Sequence, residues 1–211
     1  MPERKRGYGG LMARALTTSN RKLGWVLDGP AIDLQEWAVD AGERSQVVDQ
    51  GLYTKNALTI LINLSTDHEI LHFLVTDNAF IESLLSRITN PKEPTANLIA
   101  MLLANLAKSD DLVKRILSLN RSTALDAGLR SKGAMDQLMD CFVMGAEGRW
   151  NKDADFDYLA WVFADVAKHL EGRKYFVTKQ AYDDVVPIAK LVVFTEHKSD
   201  VRRKGVASTI K

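Results

Sequence analysis

Three stretches of the chain align with one another: ALTILINLSTD at 57–67, IAMLLANLAKSD at 99–110 and LAWVFADVAKHL at 159–170. Superposed on Asn63, Asn105 and Asp165, each is apolar at nearly every position except the aligned polar one. A polar, turn-like segment precedes each (YTKN, NPKEPTAN and NKDADFDY), and a polar break follows (STDHE, KSDD and LEGRK). Beyond the breaks lies a second set of similar amphipathic stretches: ILHFLVTDNAFIESLL, VKRILSLN with AMDQLMDCF, and YFVTKQAYDDVVPIAKLV. Self-similarity of this kind marks supersecondary units that cannot bury their apolar faces alone and must stack on their neighbours.

The spacing narrows the choice of unit. Asn63 and Asn105 lie 42 residues apart, inside the roughly 40–47 of armadillo and HEAT repeats. Asn105 and Asp165 lie 60 apart. The excess falls in NRSTALDAGLRSKG (120–133), a Ser-, Thr- and Gly-containing loop between two helical stretches. A fourth unit opens at SDVRRKGVASTIK (199–211), so the spacing predicts a chain that stops inside that unit's long helix, without a polar capping unit.

Helical period agrees with this reading. At about 100° per residue, Leu58, Leu61, Ile62 and Ser65 form one side of the first stretch, extended by Ala57, Ile60 and Leu64. Asn63 shares the remaining stripe with Thr59 and Asn56. A helix apolar around most of its circumference is sandwiched between neighbours. Pro91, Pro94, Gly128, Gly133, Gly145, Gly148 and Gly172 fall between the apolar helices, and no stretch alternates over a strand's length. The expected fold is all-α: a right-handed armadillo/HEAT-like solenoid over 45–211, preceded by an unassigned extension over 1–44.

That extension differs in character. Its first 24 residues carry six basic side chains against Glu3 alone. An Arg-rich, acid-poor start resembles an organelle transit peptide, but Gly7, Gly9 and Gly10 interrupt any amphipathic helix, which favours a poorly ordered basic tail. A short helix around Ile32 to Val39 is expected next. Overall the chain has 211 residues, 46% apolar, with net charge +1. Such a balance argues against a dedicated nucleic-acid binder or a membrane-surface protein. The single cysteine, Cys141, excludes an internal disulfide framework and suits a reducing compartment. The longest apolar run, LIAMLLANLA (98–107), falls short of the roughly 20 residues of a membrane span.

One short motif suggests chemistry. HEILH at 68–72 spells a zincin signature, two histidines four apart with a neighbouring general base. Its context argues for a helix start. Thr66-Asp67-His68-Glu69 fits a capping box with Thr66 as N-cap, and Ile70, Leu71, Leu74 and Val75 take the core side. Glu93, the best distant third ligand, lies in the turn Pro91–Pro94. Cys141, in the apolar run MDQLMDCFVMG, reads as a buried structural thiol. Asp153, Asp155 and Asp157 lack the glycine and closing glutamate of a calcium loop and read as a solvated, helix-starting segment. Arg202, Arg203 and Lys204 read as a solvated face. No catalytic, metal or cofactor set emerges, and a zinc metalloprotease remains only as a remote alternative.

The aligned polar positions have two readings. Thr59, Met101 and Trp161 each lie four residues before Asn63, Asn105 and Asp165, so each pair shares a helix face. Side chains recurring there line a concave groove, where an amide both donates to and accepts from an extended peptide. The pattern echoes the Trp-x-x-x-Asn arrays of nuclear-import armadillo proteins. Alternatively, Asn63 and Asn105 satisfy carbonyls inside the stack, as buried polar side chains usually do.

From about residue 55 onward the chain resembles the armadillo-like HGH family. The resemblance rests on ALTILINLS (57–65), MLLANLAK (101–108), LMDCFVMG (138–145), DYLAWVFADVAKH (157–169) with Gly172-Arg173, and RRKGVASTIK (202–211). It implies a cytoplasmic, non-enzymatic adaptor that helps translation elongation factor 2 fold with the cytosolic chaperonin. It further implies protein partners; no cofactor, nucleic acid or membrane is expected, and the chain is expected to be a monomer. That family opens with a further helical repeat and continues for a second half. Here residues 1–44 do not resemble the repeat. A generic peptide-binding armadillo module, for nuclear transport or scaffolding, is the alternative.

Overall fold

The computed structural model describes residues 47–121 and 128–211. The extension expected over 1–44, its short helix around Ile32 to Val39 and the basic start lie outside the described residues. Among those described there are ten α-helices and no strand; Asn120 and Gly133 form one isolated antiparallel bridge. The fold is all-α, as the period predicts.

Each aligned stretch is a helix, and two further helices follow each. The first set is α1 (Val47–Leu64), α2 (His68–Thr76) and α3 (Asn78–Ile88); the second is α4 (Ala96–Leu106), α5 (Asp110–Ser118) and α6 (Ala134–Gly145). The third is α7 (Leu159–Val166), α8 (Leu170–Val177) and α9 (Pro187–Val192), and α10 (Asp200–Ile210) follows. Within the compact unit Leu58–Lys211, α4 packs on α7, and α7 packs most extensively on α10. Around them α5 packs on α6, α10 on α9, and α9 on both α8 and α6.

Close approach of α7 and α10 requires Gly205. A methyl added there would lie 2.5 Å from Ala160 Cβ and 2.7 Å from the Ala160 carbonyl carbon. Gly172 does the same for the α7–α8 corner, where an added methyl would lie 2.0 Å from the Val166 oxygen.

The core is apolar along all these helices and aromatic at its far end. Leu58, Ile99, Leu102, Leu103, Leu138 and Val162 are fully buried. Phe142 meets Phe163 and Phe194 edge-to-face at 5.2 Å each, and Phe163 meets Phe176 at 6.3 Å. Such pairs add about 0.5–1.5 kcal/mol each beyond their area burial.

Several local expectations need correction. The N-cap of α2 is Asp67, not Thr66: Asp67 Oδ1 accepts from the Glu69 and Ile70 amides at 2.9 and 3.2 Å. The Thr66 hydroxyl instead donates to the Asn63 carbonyl of the preceding turn at 2.8 Å, which takes it out of the cap. Ile60, expected on the apolar arc, is exposed. Arg202 is the largest departure. Expected on a solvated face, it is fully buried, and Asp157, expected in a solvated loop, is buried with it.

The reason is period and partners. Arg202 shares the inward side of α10 with Gly205, Val206 and Thr209. Its Nε donates to Asp157 Oδ1 at 2.6 Å, Nη1 to the Phe142 carbonyl at 2.9 Å, and Nη2 to the Asp155 carbonyl at 2.5 Å. The guanidinium lies over the Phe142 ring at 3.8 Å and the Phe194 ring at 4.7 Å. A buried charge costs several kcal/mol unless it is paired and hydrogen-bonded, and here Asp157 pairs it while each of its three nitrogens donates. The Asp155–Asp157 turn is shaped to serve it. Phe156 takes φ +59°, its amide donating to Asn97 Oδ1 at 3.0 Å, which turns the Asp155 carbonyl and Asp157 carboxylate onto Arg202.

Arg121 and Ser131 are clamped to α3 and α6. Arg121 Nη1 donates to the Leu85 carbonyl and to Gln137 Oε1, and Gln137 Nε2 donates to the Arg121 and Ser131 carbonyls, all within 3.0 Å. Cys141 is buried, its Sγ 3.9 Å from the Ile88 carbonyl, and burial pushes its thiol well above the ordinary range.

Candidate protein-binding surface

The six aligned positions fall on three helices and divide by burial. On α1, Thr59 and Asn63 are exposed; on α4, Met101 and Asn105 are half-buried; on α7, Trp161 is exposed and Asp165 half-buried. The shared-face spacing puts each pair on one side of its helix.

Their bonding differs more than their alignment suggests. Asn105 Nδ2 donates to the Ile62 carbonyl and to Ser65 Oγ, both at 3.0 Å, and Ser65 Oγ donates to the same Ile62 carbonyl at 2.8 Å. That carbonyl belongs to the last turn of α1, so one amide ties α4 to α1. Asn63 makes no side-chain hydrogen bond among the described residues and faces solvent. Asp165 pairs with Lys168 one turn later in the same chain segment.

Trp161 and Asp165 line a cavity. It is a groove of about 590 Å³ bounded by α7, α8, α9 and α10. Its apolar lining comes from Trp161, Phe176, Val177, Ile188 and Ile210. Three of these are large exposed apolar side chains: Trp161 at 37%, Val177 at 66% and Ile210 at 39%. Lys168, Arg173 and Lys211 supply cations. Arg173 is fixed by donation from Nη1 to the Ala167 carbonyl at 3.2 Å and the Lys168 carbonyl at 2.7 Å. These last two carbonyls end α7, where orphan acceptors attract a cation.

Phe176, Val177 and Ile188 lie outside the three aligned helices, in the second set of amphipathic stretches. The signal available for Val177 is an apolar residue adjoining the polar run TKQ, at the end of a helix whose inward side Phe176 already occupies.

The histidines of HEILH do not build a metal site with their neighbours. His68 and His72 are both exposed, and among the described residues no three His, Cys, Asp or Glu side chains converge as a ligand set. Glu93 is committed elsewhere: its carboxylate receives Arg87 Nε and Nη2 at 2.9 and 3.0 Å and the Thr95 amide at 2.9 Å. The Glu93 carbonyl accepts from Asn151 Nδ2 at 2.8 Å, joining the turn before α4 to the turn before α7.

A second polar cluster joins α6 to the α8–α9 connection. Tyr175 donates to Asp136 at 2.7 Å, Tyr182 to Asp140 at 3.0 Å, and Lys190 to the Tyr182 oxygen at 2.7 Å. Burial raises Asp140, and Lys190 and Tyr182 only partly offset it.

Residues 87–211 match the family model described as a domain of unknown function (DUF383). Over 163 residues, 77% of this chain, it is 46% identical to a Schizosaccharomyces pombe protein named Protein HGH1 homolog. Proteins of the same name from Xenopus tropicalis and Dictyostelium discoideum are 26% and 24% identical, each over 74% of this chain. The chain spans less than half the length of these relatives: 45%, 39% and 41% respectively. On the domain match and the identity to the fission-yeast protein, the chain belongs to the HGH1 family.

Proposed function

We propose that this chain is a protein-binding adaptor without catalytic activity, which assists folding of translation elongation factor 2 by linking it to the cytosolic chaperonin. The observation that carries the binding part of this reading is the groove beside Trp161, an exposed indole among apolar and cationic side chains. Exposed aromatic and arginine groups are the side chains most often found as anchors in protein interfaces. The client and the chaperonin follow from the family resemblance.

In this reading the helix sets stack as an armadillo-like right-handed solenoid. The succession of α4 on α7 on α10 supports it, as does the Asn105 tie to α1. Thr59, Asn63, Met101, Asn105, Trp161 and Asp165 then lie along its concave side. The adaptor acts in the cytoplasm as a monomer, without nucleic acid or membrane. A net charge of +1 fits that, and among the described residues no helix is long and apolar enough to cross a membrane.

The second reading is a general peptide-binding armadillo module, in nuclear transport or scaffolding. The pairing of Trp161 with Asp165 on one face favours it, because an indole and a polar side chain so placed bracket an extended peptide.

Affinity capture from eukaryotic cytosol with this chain as bait separates the readings. Enrichment of elongation factor 2 together with chaperonin subunits supports the adaptor role. Elongation factor 2 without chaperonin assigns the machinery contact to parts of the relatives that this chain does not span. If a folded bait captures neither, the adaptor reading fails.

A further inference from the structure

We propose that the groove bounded by α7, α8, α9 and α10 receives an acidic, apolar segment of a partner protein, one apolar side chain entering beside Trp161 while flanking carboxylates meet Lys168, Arg173 and Lys211. This rests on the protein-binding reading above and names the kind of segment bound.

The floor supplies the anchor. Phe176 is buried beneath the groove, while Trp161, Val177 and Ile210 keep large exposed fractions on its walls. Covering such side chains yields roughly 25 cal/mol per Å² of apolar area removed from water. About 590 Å³ accommodates a large apolar side chain together with adjoining backbone.

The rim selects the charge. Three cations, Lys168, Arg173 and Lys211, stand against one carboxylate, Asp165, which Lys168 already holds. The whole chain carries only +1, so positive charge is concentrated here relative to the rest of the molecule. Arg173 is oriented by its two carbonyl bonds and needs no reordering to meet a carboxylate. A basic segment would instead face a side-chain excess of positive charge, which costs affinity.

Two labelled peptides test the assignment on the full chain: one phenylalanine flanked by aspartates and glutamates, and the same peptide with lysines in their place. Fluorescence anisotropy should show the acidic peptide binding at least about tenfold tighter, with affinity falling as salt rises. Val177→Asp, at a 66% exposed position, should weaken it by about tenfold or more while leaving the melting temperature unchanged. Arg173→Gln should weaken the acidic peptide and not the lysine peptide. Equal binding of the two peptides, no binding of either, or indifference to Val177→Asp overturns the proposal. So does a concentration-dependent dimer that Val177→Asp abolishes, since the groove would then belong to a second copy. Capture of elongation factor 2 from cytosol by the Val177→Asp chain would sink the groove assignment while leaving the adaptor reading intact.

Discussion

Arg202 and Asp157 form an ion pair in which the arginine is fully buried, Nε to Oδ1 at 2.6 Å, joining α10 to the turn that opens α7. Burial alone would lower the guanidinium's proton affinity, and the Asp157 hydrogen bond and charge oppose that. Each of the three guanidinium nitrogens donates, to one carboxylate and two carbonyls, and the group lies over two phenyl rings.

Removing one partner of this pair therefore strands the other. Arg202→Ala should cost about 3–5 kcal/mol, because it leaves a buried carboxylate and two carbonyls without donors and opens a void against Phe142. Asp157→Asn keeps an acceptor oxygen and should cost less. Urea unfolding of the single and double variants checks this. Additive losses would show that the two side chains stabilise the fold independently, against the pairing described.

The α7–α10 crossing gives a prediction that runs against helix propensity. Gly205→Ala gains roughly 1 kcal/mol of intrinsic helix preference. The added methyl must displace Ala160, which it would approach to 2.5 Å, and overpacking of this kind costs about 1–3 kcal/mol or more. The variant should melt below the parent. Ala160→Gly in the same chain should restore only part of the loss, since the Ala160 carbonyl carbon stays 2.7 Å away. A variant that melts higher would mean that the helices can separate freely.

The helix order and most of the apolar faces were legible in the sequence because they follow from period and punctuation, whereas the loop read over 120–133 lies partly outside the described residues. Arg202 was not. A run of Arg-Arg-Lys looks like surface from composition, and only α10 packing on α7 shows that position 202 shares the inward side with Val206. Thr66 was misplaced for a related reason: it and Asp67 both suit an N-cap, and the choice depends on where the previous helix unwinds. The groove was half legible. Trp161 and Asp165 were marked by the alignment, whereas Val177, Ile188 and Ile210 reach it from helices that only tertiary packing brings together.

Glu93 makes part of the stability pH-dependent. Burial raises its carboxyl, but the Arg87 hydrogen bonds and charge with the Thr95 donors outweigh burial and hold it below the ordinary 4.5. A carboxylate depressed in the folded state stabilises fully above its unfolded value, and that contribution is lost as pH falls through the folded one. Stability should thus fall below pH 4.5, less steeply in Glu93→Gln. Asp140 acts in the other direction, since burial raises it and its contribution fades as pH rises. Melting curves at stepped pH measure both slopes. An unchanged acid limb in Glu93→Gln would remove the assignment.

Cys141 should be inert in the folded protein. It is fully buried, and burial pushes its thiol up, so almost no thiolate forms at neutral pH. Reaction with a disulfide reagent should wait for unfolding and then proceed at the rate of a free thiol. Rapid labelling under native conditions would show that α6 opens locally.

Asn63 and Asn105 occupy equivalent positions in the sequence alignment but unequal ones in the structure, so the same substitution should separate stability from recognition. Asn105→Ala removes the donor that joins α4 to the Ile62 carbonyl and Ser65 Oγ. It should cost about 1–2 kcal/mol, softened because Ser65 still donates to that carbonyl. Asn63 is exposed, and Asn63→Ala should change stability by no more than about 0.5 kcal/mol. Urea unfolding followed by far-UV circular dichroism gives the first half of the test, and capture of partners from cytosol the second. If Asn63→Ala loses partners at full stability, the exposed face of α1 contributes to binding. If both variants keep every partner and only Asn105→Ala loses stability, the aligned amides hold the helices together and binding lies elsewhere, with the groove at Trp161 the next surface to disrupt.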